Sequence, residues 1–176
     1  MGMNYFIIAE KETDCNLSFP DQLSSFFEQI GGFEEKSEVV QTSQILGIDL
    51  SAFQNFDYEG SEPDEEKKFW TDCNLFLSIT KEFIDKIEAH PTFHEKVKHD
   101  SDMEKRGEQM NRIFNSTSPE SIIGFLQEQQ KDEQYGFPPD HGYLKEGRLL
   151  NDLRAFQKTV ECLMGAGHQK MKLLYM

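Results

Sequence analysis

Between Asp64 and Ala89 the apolar residues Phe69, Trp70, Cys73, Phe76, Leu77, Phe83, Ile84 and Ile87 recur at steps of three and four. That spacing puts them on one stripe of a 3.6-residue helix, and a stripe so long and bulky has to be buried against other elements. The chain is therefore expected to fold around this helix, capped at its start by Ser61. Pro91 stops it and sits at the first position of a short helix containing Phe93 and Val97. Fifteen Phe and one Trp supply core volume. A chain of 176 residues can bury roughly 70% of its unfolded surface, which suits one folded domain.

The flanking segments complete an outline. Asn4 to Ala9 is a compact apolar run with two Ile, read as a buried strand. Ser18-Phe19-Pro20-Asp21 is a capping pattern ahead of Leu23, Phe26, Phe27 and Ile30 at helical spacing, closed by Gly31-Gly32. Residues 38–42 and 45–50 read as short strands from their Val and Ile content, although no period is sustained. Ser101-Asp102-Met103-Glu104 and Ser118-Pro119 open two further helices, one carrying Met110 and Phe114 and the other Ile122 and Phe125. Tyr135 to Gly142 reads as a loop stiffened by Pro138 and Pro139. Leu149, Leu150, Leu153, Phe156, Val160, Leu163 and Met164 define a last helix, for which Gly165-Ala166-Gly167 is the C-cap.

Lys170 to Met176 is then a strand expected beside the N-terminal one, and its lysines suit an edge position. The fold class that follows is α+β. It is a helix-dominated single domain over 1–176, with a small sheet that includes both terminal strands. An acidic part spans 1–66, a helical part 67–167 and the closing strand 170–176.

Charge is distributed unevenly along this outline. Positions 1–66 hold 15 acidic side chains against Lys11 and Lys36, so they carry −13 of the −14 formal charge, whereas the remainder of the chain is nearly neutral. Such a bias concerns partners and solubility, not fold. It is sharpest in Asp57, Glu59, Glu62, Asp64, Glu65 and Glu66, which stand beside Phe56, Tyr58 and Trp70. Carboxylates speed encounter with a basic protein and buried aromatics supply affinity. Phe56, Asp57, Tyr58, Glu59, Glu62, Asp64, Glu65 and Glu66 are therefore the candidate partner-binding residues. The 18 basic residues are dispersed among acids without a basic stripe, which argues against direct nucleic-acid binding.

Other chemistry is poorly supported by spacing. His94 and His99 are the nearest approach to a metal pair, with His90, Glu95 and Asp100 around them. However, Lys98 holds the place four residues after His94 that a zinc helix requires for its second His. Asp140-His141 reads as a turn residue followed by a surface histidine, since no nucleophile motif accompanies it. The acidic run lacks the alternating ligand loop of a calcium site. No catalytic residue, cofactor or metal is assigned.

Cys15, Cys73 and Cys162 are odd in number and widely separated, which reads against a disulfide framework and for a reducing, cytoplasmic setting. No apolar run is long enough for a membrane span or signal peptide. Phe6 stands where a myristoylation signal needs Ser or Thr, so no lipid anchor is expected.

The stretch Gly136-Phe137-Pro138-Pro139-Asp140-His141-Gly142-Tyr143-Leu144, followed by the helix Leu149 to Met164 and a short closing strand, resembles the outline of small bacterial immunity proteins. So do the acidic N-terminal part and the absence of a catalytic motif. The resemblance covers the chain from Gly136 onward, together with general composition, and implies a non-enzymatic inhibitor that blocks a basic partner such as a cognate toxin. No functional residue is carried over from it. An acidic anti-restriction or anti-CRISPR inhibitor has a similar charge pattern, and a small enzyme with a site assembled from dispersed residues is the remaining alternative.

Overall fold

The computed structural model describes residues 4–28, 37–58, 67–97 and 142–176. Among them are five α-helices and a four-stranded mixed sheet, an α+β arrangement dominated by helix. The two chain ends build the sheet, as their composition predicts. β1 (Tyr5–Ala9) runs antiparallel to β4 (Lys170–Tyr175), with Tyr5 opposite Tyr175 and Ala9 opposite Met171. On the other side of β4 lie β2 (Phe56–Tyr58), parallel to its upper half, and β3 (Thr71–Asp72), antiparallel to its lower end.

β4 is therefore the central strand, not an edge. Its Lys172 does not guard against pairing but is buried, with Nζ 2.7 Å from the carboxylate of Asp57. Lysine on a strand suits a solvated edge, and the pairing partner supplied by β2 reverses that expectation. A buried ammonium is tolerated only with a counter-charge, and Asp57 supplies it, with the Trp70 ring 5.7 Å away on another side.

Residues paired directly across the ladder share a face of the sheet. One face carries Tyr5, Ile7, Met171 and Leu173, all buried in the core. Against it lies a Phe-rich interior in which Phe27 stacks on Phe53 at 4.1 Å and Phe156 contacts Phe19, Phe53 and Phe76. The helices α1 (Asp21–Glu28), α2 (Glu38–Leu46), α3 (Cys73–Ala89), α4 (Gly142–Lys145) and α5 (Arg148–Gly165) enclose it. α3 and α5 pack antiparallel and are tied at their surface by Arg154–Glu88 and Lys81–Glu161 ion pairs.

Two segments depart from the sequence reading. Residues 38–46 form α2 instead of strands, and 48–50 run without regular structure. Ser37 caps α2 by accepting from the Val40 amide, Gly47 closes it at φ 62°, and Val39, Thr42 and Leu46 fall on one buried face. The caps and the buried stripe outweigh the strand preference of Val and Ile, which is worth only tenths of a kcal/mol per residue. The long helix begins at Cys73, not near Asp64. Lys67–Phe69 is a 3-10 turn and Thr71–Asp72 pairs with β4. Asp72 then caps α3 by accepting from the Asn74 amide at 2.7 Å, so the cap is Asp72 and not Ser61.

The remaining elements agree more closely. α5 ends as its glycines suggest: Gly167 takes φ 84°, its amide donates to Met164 and the His168 amide donates to Leu163. The short helix after Pro91 is a 3-10 turn, Phe93–Lys96, with Phe93 and Val97 buried. Gly142, assigned to the Pro-rich loop, instead opens α4. The helices expected after Ser101 and Ser118, and Asp140-His141, lie outside the described residues.

Contrary to the expectation from their spacing, Cys15 and Cys162 form a disulfide across 147 positions of sequence, and Cys73 is the buried free thiol. Distance along the chain is a poor guide here. Pairing β1 with β4 folds the two ends together, which carries the loop after β1 onto α5. With that bond in place, the cysteine pattern no longer argues for a reducing compartment.

Candidate partner-binding surface

β2 positions the first three candidate residues, and strand alternation separates their fates. Tyr58 lies opposite Tyr175, and Tyr175 lies opposite Tyr5, so three tyrosines form one row across β2, β4 and β1. Their rings touch in sequence, with centroids 5.5 Å apart for Tyr5–Tyr175 and 5.8 Å for Tyr58–Tyr175. Phe56 stands one rung lower, opposite Leu173, and contacts Tyr5, Tyr58 and Tyr175 at 5.0 to 5.6 Å. Exposure rises along the row, from Tyr5 at 3% to Tyr58 at 53%. The core thus reaches the surface as a continuous aromatic ridge, held by tilted and edge-to-face ring contacts of about 0.5–1.5 kcal/mol each beyond their area burial.

Asp57 points to the opposite face and is 4% exposed. Its carboxylate is committed to Lys172, so it is not a docking group. Removing it from the candidate set follows from the two-residue period of a strand: Phe56 and Tyr58 share a face that Asp57 cannot share. Glu59, Glu62, Asp64, Glu65 and Glu66 lie outside the described residues.

Three other N-terminal acids are held elsewhere in the fold. Glu10 follows the far end of β1, where its carboxylate accepts from the amides of Gln169 and Lys170 at 2.7 and 3.0 Å. Those two bonds lower its pKa below the ordinary value. Asp49 accepts from the Ser51 amide, which lowers its pKa in the same way. Glu38 is buried in α2. Of the acids in positions 1–66, Glu10 and Asp49 are thus held by backbone amides, Glu38 is buried and Asp57 is paired inside the protein.

His94 is half-buried and its Nδ1 lies 3.2 Å from the Pro91 carbonyl, a contact within its own turn. His99 lies outside the described residues. Among the described residues no three His, Cys, Asp or Glu side chains converge in a way that could hold a metal ion. Nor is any described helix long and apolar enough to cross a membrane.

A second polar centre escaped sequence reasoning. Asp152 on α5 accepts from the Tyr143 hydroxyl at 3.0 Å, so it ties α4 to α5. Burial raises the pKa of Asp152 above the ordinary value, and burial followed by the Asp152 charge raises that of Tyr143. The only sequence signal is Asp152 between Leu150 and Leu153 on an otherwise apolar helix face. Both partners are used up in holding helices together.

Comparison of the chain with known protein families, with curated proteins and with solved structures finds no match. The described residues define an α+β fold whose aromatic core emerges at one end of its sheet, immediately before a strongly acidic run.

Proposed function

We propose that this chain is a non-enzymatic acidic binding module that covers a basic partner protein, of the kind an immunity-type inhibitor uses against a toxin. One observation carries the reading: the Tyr5–Tyr175–Tyr58 row ends on an exposed ring, one residue before a run with five carboxylates in eight positions. Tyr58 is braced by Tyr175 and Phe56 and loses little freedom on binding, which is the property of an anchor residue. The carboxylates that follow it raise the encounter rate with a cationic surface.

The test is quantitative capture on the immobilised chain at low and high salt, with the retained proteins identified and the binding repeated with two variants. Tyr58→Ala is expected to weaken binding at least tenfold through faster dissociation. Neutralising Glu59, Glu62, Asp64, Glu65 and Glu66 to their amides is expected to slow association and flatten its salt dependence. Retention of proteins without a basic bias, by either variant as well as by the native chain, contradicts the proposal.

A further inference from the structure

The segment between β1 and α1 runs without regular structure over residues 10–20, yet it follows α5 anchor by anchor. Glu10 holds the amides of Gln169 and Lys170. The Lys11 ammonium lies where a Cβ on Gly167 would be 3.7 Å from it, against the C-terminal end of α5, where a positive charge is favoured. Cys15 is bonded to Cys162. Phe19 is buried against Phe156 at 5.1 Å and Tyr5 at 5.5 Å. Taken in order, positions 10, 11, 15 and 19 meet 169–170, 167, 162 and 156, so the segment is a strap laid antiparallel along the helix.

Its middle is held by the disulfide and by Cys15 and Leu17, which pack against the core while only partly buried. Between Lys11 and Phe19 the hydrogen bonds made by the strap are local, Cys15 amide to Thr13 and Ser18 amide to Asn16. Exposed and half-buried residues alternate from Glu12 to Ser18, and none is fully buried. Cys162 is exposed and Cys15 half-buried, so the disulfide can be reached by a thiolate. The third cysteine cannot intervene: Cys73 is fully buried, and burial pushes its thiol pKa up to about 11.

We infer that Cys15–Cys162 is a redox-sensitive latch that holds the strap on α5, and that opening it loosens the Phe19 support beneath the tyrosine row. The reductant is a protein or small-molecule dithiol. One of its thiolates attacks Cys162 Sγ, the Cys15–Cys162 bond breaks, and the Cys15 thiolate leaves and takes up a proton. The second thiolate then attacks the dithiol sulfur of the mixed disulfide, which releases Cys162 as a thiolate to be protonated. The dithiol is oxidised to a disulfide and the protein gains two thiols. The end of the chain of effects, weaker docking, rests on the function proposed above; the latch itself does not.

The experiment exposes the folded protein to dithiothreitol without denaturant, alkylates the free thiols and maps them by mass spectrometry alongside amide exchange. Labelling of Cys15 and Cys162 but not Cys73 is expected, with exchange over residues 12–18 at least tenfold faster while α3 and α5 stay far better protected than the strap. The double variant Cys15→Ser, Cys162→Ser is expected to show the same exchange pattern without reductant. Three outcomes overturn the latch: a disulfide inert to dithiol in the folded state, labelling of Cys73 together with the other two, or strap exchange that does not change on opening. Partner binding equal in both redox states overturns the coupling and leaves the docking proposal standing. Absence of basic-partner binding in either state removes the docking proposal, while the thiol map still decides the latch.

Discussion

Breaking the Asp57–Lys172 pair should be among the most damaging single changes available in this protein. The two groups are 2.7 Å apart with side chains 5% and 6% exposed. At an effective dielectric of 20 the gross attraction at that distance is about 6 kcal/mol, set against the cost of taking both ions out of water. The net worth of such a pair is small, but breaking it by removing one partner costs about 3–5 kcal/mol. Asp57→Asn and Lys172→Met should each lose an amount in that range. In a chain of this size that corresponds to a fall in Tm of about 6–20 °C. The double variant Asp57→Leu, Lys172→Met removes both charges and should recover most of the loss, falling within about 1 kcal/mol of the native chain or exceeding it. Urea denaturation of all four proteins gives the cycle directly. Single variants within about 0.5 kcal/mol of native, the range of an ordinary surface substitution, would refute the reasoning, as would additivity of the two losses.

The remaining predictions concern the disulfide, the core and two carboxylates. Because Cys15 and Cys162 are 147 positions apart, reduction should lower stability by about 2–5 kcal/mol, read as the shift in urea midpoint with and without reductant. Phe156→Ala empties a fully buried ring site among Phe19, Phe53 and Phe76 and should cost about 3–5 kcal/mol in the same assay. Glu10 has its pKa lowered in the folded state, so its contribution is present above the ordinary carboxylate pKa and lost as pH falls through the lowered value; Glu10→Gln should flatten the acid limb of a stability–pH curve. Asp152 has its pKa raised, so its contribution is greatest at low pH and declines as pH rises through the raised value. Asp152→Asn should remove that decline while leaving an oxygen to accept from Tyr143.

Much of the architecture is legible in the sequence wherever a periodic pattern coincides with its own punctuation. The helix α5 shows an apolar stripe and glycine stops, and β1 and β4 are recognisable as strands that meet. What the pattern hides depends on partners distant in sequence. Lys172 looks like an edge lysine until β2 places Asp57 beside it. Thr71 and Asp72 look helical until β4 claims them. Val39 and Val40 favour strand by type, and only the Ser37 cap and the burial of one face turn them into helix. The Cys15–Cys162 bond follows from the meeting of the chain ends, a consequence available once β1 is paired with β4. In the candidate surface, alternation along β2 is enough to separate Phe56 and Tyr58 from Asp57, and the tyrosine row needs only the register of three strands.

Docking through a braced tyrosine flanked by carboxylates is tested most directly by the association kinetics of the basic protein that the chain retains. These are followed across ionic strength for the native protein, Tyr58→Ala and the amide-substituted 59–66 segment. The association rate should fall steeply with salt in the native protein and less steeply once the carboxylates are amides, and dissociation should be at least tenfold faster for Tyr58→Ala. Identical rates for all three proteins at every salt concentration would contradict that mode of binding.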